Sequence, residues 1–449
     1  MSSMDLREPS PSDASDALSE FLSRQKERYL DAVARGTAGE WTVVMGNEAG
    51  DLDSLASAIA YAYYAGVVSK HAPTIPLVQT PREDLHLRAE NLHALALAGV
   101  DPALLLTISD LPSSSSSSPF PSTKFVLVDH NRLAPAFSHP SARVVAVVDH
   151  HADEGLYADT ADPRLIEVPT GSCASIVARL LQHTGMRIPR ELATLLLCSI
   201  LVDTGGLKPG GKAEDADRAA AAFLAPLSTL SLTCQNEALI QTETQITTQD
   251  ASSEELHAVA PIQALNATLQ TRKASVAHLG TRDLLRRDYK EYTYTLPRGA
   301  DVCVGLASVP VGLHAWLSRE PGGAFGTEAE AWMRTRELDV LGVLTSFRDA
   351  ESEHSGKSGR GKHRREQLYV VRDKALAETL FSGLEESEEL KLKRRKWKDY
   401  DLTKEKVGFG GDVAVRVWKQ KNVDATRKTT APLVKSIIEG EGRGKGASL

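Results

Sequence analysis

Val144-Val-Ala-Val-Val-Asp-His-His151 is a short run of mostly β-branched residues that ends in a carboxylate and two imidazoles. A run this short, apolar without alternation, reads as a strand buried on both faces, as in a parallel sheet. The same pattern occurs twice before it. Phe125-Val-Leu-Val128 runs into Asp129-His130-Asn131, and Trp41-Thr-Val-Val-Met45 runs into the polar turn Gly46–Asp51. Helical patterns alternate with these strands: Leu55, Ile59 and the Ala/Tyr run after them, then Cys173 to His183, then the strongly apolar Leu192–Val202, which ends at Asp203. Alternation of this kind predicts an α/β domain built on a doubly wound parallel sheet, with ligands held just beyond the carboxyl ends of the strands.

The whole chain allows for more than that one domain. It has 449 residues, 42% of them hydrophobic, and a formal charge of −7. At roughly 100–200 residues per domain, two to three domains are expected, and a wholly disordered chain is excluded. No apolar run is long enough for a membrane span of about 20 residues. The Ser-rich, acidic start at Met1–Ser19 has neither the basic and apolar regions of a secretion signal nor the Arg bias of a mitochondrial presequence. Cys173, Cys198, Cys234 and Cys303 are scattered and form no CxxC, so a reduced cytoplasmic protein without disulfides or structural zinc is expected. Phe21 to Val33 reads as a short amphipathic helix.

We divide the chain into a tail and leading helix over 1–35, the sheet domain over 36–215, a helical linker over 216–255 and a second, smaller α/β domain over 256–449. In the second domain, strands are expected near Tyr292–Leu296, Val302–Ser308, Val340–Thr345, Leu368–Val371 and Val413–Trp418, with a final helix over Ala431–Glu439. The serine run Ser113–Ser118 reads as a surface insert. His354–Glu366 and the basic run Lys391–Lys398 read as solvated loops, or as a device that draws in a polyanion. The mild acidity and the lack of interleaved aromatics argue against nucleic acid.

Four segments place acids and imidazoles at predicted strand or helix ends: Asn47-x3-Asp51-x-Asp53, Asp129-His130-Asn131, Asp149-His150-His151 and Asp203. Taken singly, each Asp could merely cap a helix. Together they form the donor set of hard divalent cations, since Mg²⁺ and Mn²⁺ prefer carboxylate oxygen and Mn²⁺ also accepts imidazole.

The motifs Gly46-Asn-Glu-Ala-Gly-Asp-Leu-Asp-Ser54, Val128-Asp129-His130-Asn131, Val148-Asp149-His150-His151, Gly171-Ser-Cys-Ala-Ser175 and Val202-Asp203-Thr204 resemble those of the DHH phosphoesterase superfamily. Asp288-Tyr-Lys-Glu-Tyr292 and Thr426-Arg-Lys428 resemble its second associated domain, shared by family II inorganic pyrophosphatases and eukaryotic exopolyphosphatases. The resemblance covers roughly residues 40–440. Asn47 stands where family II pyrophosphatases have histidine, as in fungal cytosolic exopolyphosphatases and animal prune-like proteins. His151 favours the fungal exopolyphosphatases, because prune-like proteins usually carry Arg there.

The resemblance implies an exopolyphosphatase that removes terminal phosphate from inorganic polyphosphate, with its site in the cleft between the two domains. The alternatives are an inorganic pyrophosphatase or a prune-like binding protein with little turnover. It implies two or more divalent ions, Mg²⁺ or Mn²⁺, held by Asn47, Asp51, Asp53, Asp129, His150 and Asp203. Asp129 and Asp203 would contact both ions, and with His151 they form the catalytic set. Asp149 would orient the histidine pair; His130 lies at the site without a fixed role. His151, Lys208, Lys290, Arg427 and Lys428 would contact substrate phosphates, although Arg427-Lys428 taken alone is more often a solvated helix start. Asn47 can also be read as a turn residue, and Ser172 as a helix N-cap. Cys173 and Cys198 read as core. The expected partner is inorganic polyphosphate as substrate, with no nucleic acid and no membrane, and the protein is expected to be a monomer.

Overall fold

A computed structural model describes residues 17–68, 73–112, 119–230, 256–319, 324–348, 361–400, 407–410 and 412–440. The expected tail before residue 17, the serine insert Ser113–Ser118 and most of the expected linker, 231–255, lie outside the described residues.

The chain divides into two compact units, 1–273 and 274–449. The first is built on six strands: β1 (Thr42–Met45), β2 (Thr74–Val78), β3 (Leu106–Thr107), β4 (Lys124–Val128), β5 (Arg143–Asp149) and β6 (Arg164–Ile166). Their order is β3-β2-β1-β4-β5-β6, and every pairing is parallel. The order reverses at β1 and β4, where a doubly wound sheet opens a crevice at its carboxyl edge. The strands quoted above are β1, β4 and β5. β2 and the edge strands β3 and β6 escaped the sequence reading because they are short or carry Pro, Thr and Arg among their apolar residues.

The helices of this unit are α1 (Ala17–Ala34), α2 (Leu52–Val68), α3 (Ala89–Ala98), α4 (Cys173–His183), α5 (Arg190–Thr204), α6 (Asp215–Leu224) and α7 (Ala260–Ala274). One core lies between the sheet and α2, α4 and α5: Val44, Val126 and Val148 face Ile59, Val177, Leu196 and Ile200, all at most 2% exposed. Cys173 and Cys198 are buried in it. On the other face of the sheet, Tyr29 of α1 and Trp41 pack with Val43, Phe125 and Val147.

The leading helix α1 packs on the first unit: Leu18, Phe21 and Leu22 enter the α2–α5 core. The division between units falls after Lys273 and not after residue 255, because Ile262 and Leu269 of α7 are buried in the first unit's core and Gln270 donates to the Val202 carbonyl at 2.7 Å. Nothing in the local sequence of α7 reveals which of two cores its apolar stripe enters.

The second unit holds β7 (Tyr289–Thr295), β8 (Asp301–Val309), β9 (Val340–Thr345), β10 (Phe347–Arg348), β11 (His363–Val371), β12 (Leu392–Arg395) and β13 (Ala414–Gln420). Their order is β12-β13-β11-β9-β8-β7, with β10 against β11; only β8 and β9 pair in parallel. Its helices are α8 (Thr281–Arg287), α9 (Leu313–Arg319), α10 (Ala324–Thr335), α11 (Lys374–Glu385) and α12 (Arg427–Glu439). Tyr369, Trp418, Leu380, Val434 and Ile438 form the core between the sheet and α11 and α12.

Three sequence readings change here. Residues 363–366 belong to β11, so that part of the expected loop is strand. Leu392–Arg395, inside the basic run, is an edge strand. The last helix begins at Arg427, where Thr426 accepts from the Lys428 amide as N-cap, and not at Ala431. Pro432 lies inside this helix, where it has no N–H to donate to the Lys428 carbonyl.

Candidate metal and phosphate site

β1, β4 and β5 deliver their polar ends to the same edge of the parallel sheet. Gly46 allows the first delivery: a Cβ there would stand 2.3 Å from Ser54 Cβ, so only glycine lets the start of α2 close onto the end of β1. Asp51 caps the helix, accepting from the Ser54 amide at 3.1 Å. Asp129 follows β4 with φ +60, a left-handed conformation rare outside glycine. Strain of this kind collects where a side chain has to be aimed.

Asp129, His150 and His151 converge, with one ligand atom of each within 4.8 Å of the others. Asp129 Oδ1 lies 3.3 Å from His150 Nε2 and 3.7 Å from His151 Nδ1. Its Oδ2 accepts from Asn47 Nδ2 at 2.8 Å and from Ser54 Oγ at 2.7 Å. The Asn47 amide oxygen is occupied elsewhere, accepting from the Ala49 N–H at 2.9 Å. The sequence reading put Asn47 among the metal ligands; in this structure it donates to Asp129 and orients it.

Asp53 is 1% exposed, and its carboxylate lies across the N-terminus of α4. It accepts from the amides of Cys173 and Ala174 at 2.7 and 2.9 Å and from the hydroxyls of Ser172 and Ser199 at 2.8 and 2.9 Å. A buried carboxylate is tolerable there because the helix end supplies donors and positive potential. Ser172, read as an N-cap, donates its hydroxyl to Asp53 and makes no capping bond to its own helix. Asp53 Oδ2 still faces His150 Nε2, at 3.8 Å.

Asp149 is fully buried and holds the histidine pair. Its Oδ1 accepts from the amides of His150 and His151 and from His151 Nδ1 at 2.8 Å, and its Oδ2 accepts from Asn131 Nδ2 at 2.6 Å. Burial alone would raise its pKa; the hydrogen bond and charge of His151, with help from Asn131, bring it down to about 2. His150 Nδ1 lies 3.0 Å from the Thr170 carbonyl, so Nδ1 carries a proton and Nε2 is the atom presented to Asp129. Burial would lower the His150 pKa, but the hydrogen bond to Asp129 and the charge of Asp53 raise it to about 10. Asp129 is driven well above the usual carboxylate range by burial and by the nearby Asp51.

Asp203, in the last turn of α5, completes the group. Lys273 Nζ of α7 lies 3.2 Å from its Oδ1. Burial raises Asp203 to about 6 against the opposing charge of Lys273, and the charges of Asp53 and Asp51 reach it as well. Concentrated negative charge, imidazole with its Nε2 inward and carboxylates driven upward together fit a divalent cation, whose charge would relieve the repulsion.

The remaining sequence candidates are spread more widely. His130 turns its Nδ1 to the Val128 carbonyl at 2.9 Å. Lys208 is exposed in the turn after α5. Lys290 and Arg427 belong to the second unit. Arg427 pairs with Asp288 at 2.8 Å and also donates to the Asp288 carbonyl. Lys428 is exposed beside it. Ser172, which the sequence offered as lining the site or as an N-cap, donates to Asp53. Ser54, Asn131, Ser199 and Lys273 were missed. The first two lie inside the quoted motifs. Ser199 is a polar residue within an apolar helix, which is a faint signal. Lys273 carries none, since only folding brings it to Asp203.

A crevice at a doubly wound sheet's switch point, lined by aspartates and a histidine pair, defines the DHH-type phosphoesterase. The N-terminal domain of the DHH family matches residues 41–200 and the DHHA2 domain matches residues 267–437. The chain belongs to the DHH family of phosphoesterases and carries a DHHA2 domain. It is similar to a Schizosaccharomyces pombe protein named "Putative exopolyphosphatase", 28% identical over 443 residues that cover 94% of this chain and 98% of that one. It also resembles mouse "Exopolyphosphatase PRUNE1", 27% identical over 321 residues, 69% of this chain and 61% of the mouse protein. Among solved structures it is similar to a Methanococcus jannaschii protein described as a "putative family II inorganic pyrophosphatase", with TM-score 0.50 and 18% identity over 89% of this chain and 99% of that one, a likeness of fold. Among the described residues no helix is long and apolar enough to cross a membrane.

Proposed function

We propose that the chain is an exopolyphosphatase that hydrolyses the terminal phosphoanhydride of linear polyphosphate and releases orthophosphate. The observation that carries this reading is the convergence of Asp129, His150 and His151 inside a ring of carboxylates at the switch point, in a chain similar over nearly its whole length to a protein named as an exopolyphosphatase. Asp51, Asp53, Asp129, His150 and Asp203 would hold Mg²⁺ or Mn²⁺. Such ions would activate a water nucleophile and offset charge on phosphate oxygens.

The chain's own residues prepare the site. Asn47 and Ser54 hold Asp129 Oδ2, leaving Oδ1 turned towards the histidines. Asp149 fixes His151 through Nδ1, which leaves Nε2 as the atom that would donate to a phosphate oxygen in the imidazolium form. Lys208, Lys290, Arg427 and Lys428 would take the remaining phosphate oxygens, with the Arg427 guanidinium held in orientation by Asp288.

The test is phosphate release from long-chain polyphosphate, tripolyphosphate and pyrophosphate in parallel with Mg²⁺ or Mn²⁺. Release from the two polyphosphates is expected. Cleavage of pyrophosphate alone would reassign the chain as a pyrophosphatase. Binding of polyphosphate without turnover would reassign it as a binding protein.

A further inference from the structure

The basic run is organised by strand register. On the edge strand β12, Lys393 stands directly opposite Lys419 of β13, and Lys419 stands opposite Glu366 of β11. Cross-strand partners share a face, and so do residues two apart along a strand. Arg395 on β12 and Arg364 at the start of β11 therefore join Lys393 and Lys419 on one face, and Lys362 immediately precedes β11. Burial lowers the Lys419 pKa, and the charges of Arg364, Arg395, Lys362 and Lys393 lower it further, so the group is close enough to interact. Glu366, the acid in this row, is engaged by the Tyr400 hydroxyl at 3.0 Å and the Leu313 amide at 2.8 Å. Asp399 lies 3.9 Å from Arg395.

Like charges directly opposite across a ladder destabilise a sheet. Lysines on an edge strand have a simpler use, since they keep a sheet from pairing with a second chain. That accounts for Lys393 and Arg395 on the edge, but not for Lys419 one strand in or Arg364 two strands in. Cations kept together at a cost in repulsion fit a ligand whose negative charges are themselves closely and regularly spaced.

We propose that this face is a docking surface for the distal part of a linear polyphosphate chain, apart from the residues that hold its terminal phosphate. This rests on the exopolyphosphatase reading for the identity of the polyanion. Lys290 stands on the opposite edge strand, β7, and on the sheet's other face. Five strand spacings of about 4.8 Å put at least about 24 Å between the two edges, far beyond the reach of three linked phosphates. The face therefore selects for length: long chains engage it and tripolyphosphate does not.

The experiment uses the full chain carrying Lys393→Gln, Arg395→Gln and Lys419→Gln. Binding of long-chain polyphosphate is measured in EDTA, so that turnover does not interfere, over a series of salt concentrations. The variant should bind about tenfold more weakly, and the slope of log affinity against log salt should fall by about 2, at roughly 0.7 per lost contact on a single-stranded polyanion. Tripolyphosphate turnover should stay within about twofold, and the melting temperature at low salt should hold or rise as repulsion is removed. If the triple variant does not fold, Lys393→Gln alone, at an exposed edge position, should still weaken long-chain binding about two- to threefold. Unchanged affinity and salt slope overturn the proposal, and so does an equal loss of tripolyphosphate turnover. Single-stranded RNA of matched charge that binds the parent more tightly than polyphosphate, and loses that binding in the variant, overturns the assignment of the ligand. A parent that binds long chains through this face but hydrolyses none of the three substrates would end the catalytic reading and leave the docking surface standing.

Discussion

Asp129 has both carboxylate oxygens engaged: one is held by Asn47 and Ser54 and the other faces His150. Asp129→Ala should lower kcat by several orders of magnitude while circular dichroism stays native; near-normal turnover in a folded variant would remove it from the site. Asp149→Ala should cost less, on the order of 10–100-fold, because it acts through the histidines. The proton on His150 leads to a separate expectation. With a pKa raised to about 10, His150 is protonated at neutral pH in the metal-free protein, and a cation has to displace that proton. Mn²⁺ binding at pH 7.5 should therefore release close to one proton, read by calorimetry in two buffers of different ionisation enthalpy, and should tighten as pH rises. Release of none would mean that His150 is not a ligand. Asn47→His tests the turn at β1: an imidazole should tighten Mn²⁺ or Co²⁺ and shift the metal preference of the rate towards them, while identical metal profiles in two equally stable proteins would leave Asn47 as the orienting donor it is here.

At the scale of elements, helix ends and short turns hold the carboxylates. Asp53, whose carboxylate meets the start of α4, is one case. Asp110, half-buried after β3, is another: it takes Arg82 Nη2 at 2.6 Å with the Thr107 amide at 2.8 Å. Burial would raise the Asp110 carboxyl, but the hydrogen bonds from Arg82 and Thr107 bring it down to about 2. Its folded pKa lies below the unfolded one, so its contribution to stability is complete above about pH 4 and is lost as pH falls towards 2. Asp110→Asn should remove that part of the acid sensitivity and cost roughly 1 kcal/mol at neutral pH, measured by urea denaturation across pH. Unfolding midpoints that shift in parallel for both proteins from pH 5 to 2.5 would show that Asp110 does not titrate as described. α4 and α5 were readable almost to the residue because Cys173–His183 and Leu192–Val202 are apolar with the helical period. β12 was not, since a run of basic residues has no buried face to give it a period of two; only pairing with β13 makes it a strand.

At the scale of the molecule, the first unit brings Asp51, Asp53, Asp129 and Asp203 within electrostatic reach of one another, and that repulsion is a cost the metal-free fold bears. Divalent cations should raise the melting temperature of the full chain and EDTA should lower it, with a stabilisation of about 2.7 kcal/mol at a hundredfold excess over Kd. In Asp129→Ala most of that shift should vanish; a shift of full size would place the bound cation elsewhere. The sequence by itself determined that the sheet is parallel, three of its strands, and the acidic and imidazole ends of β1, β4, β5 and α5, because burial on two faces leaves unbroken apolar runs that end where the chain meets solvent. Tertiary structure alone decided that α7 belongs to the first unit and brings Lys273 to Asp203, that Ser199 and the start of α4 neutralise Asp53, and that Asn47 turns its nitrogen to Asp129. Each of these is a contact between residues far apart in the chain, set by which face of a helix meets which core, and local periodicity carries no record of that choice.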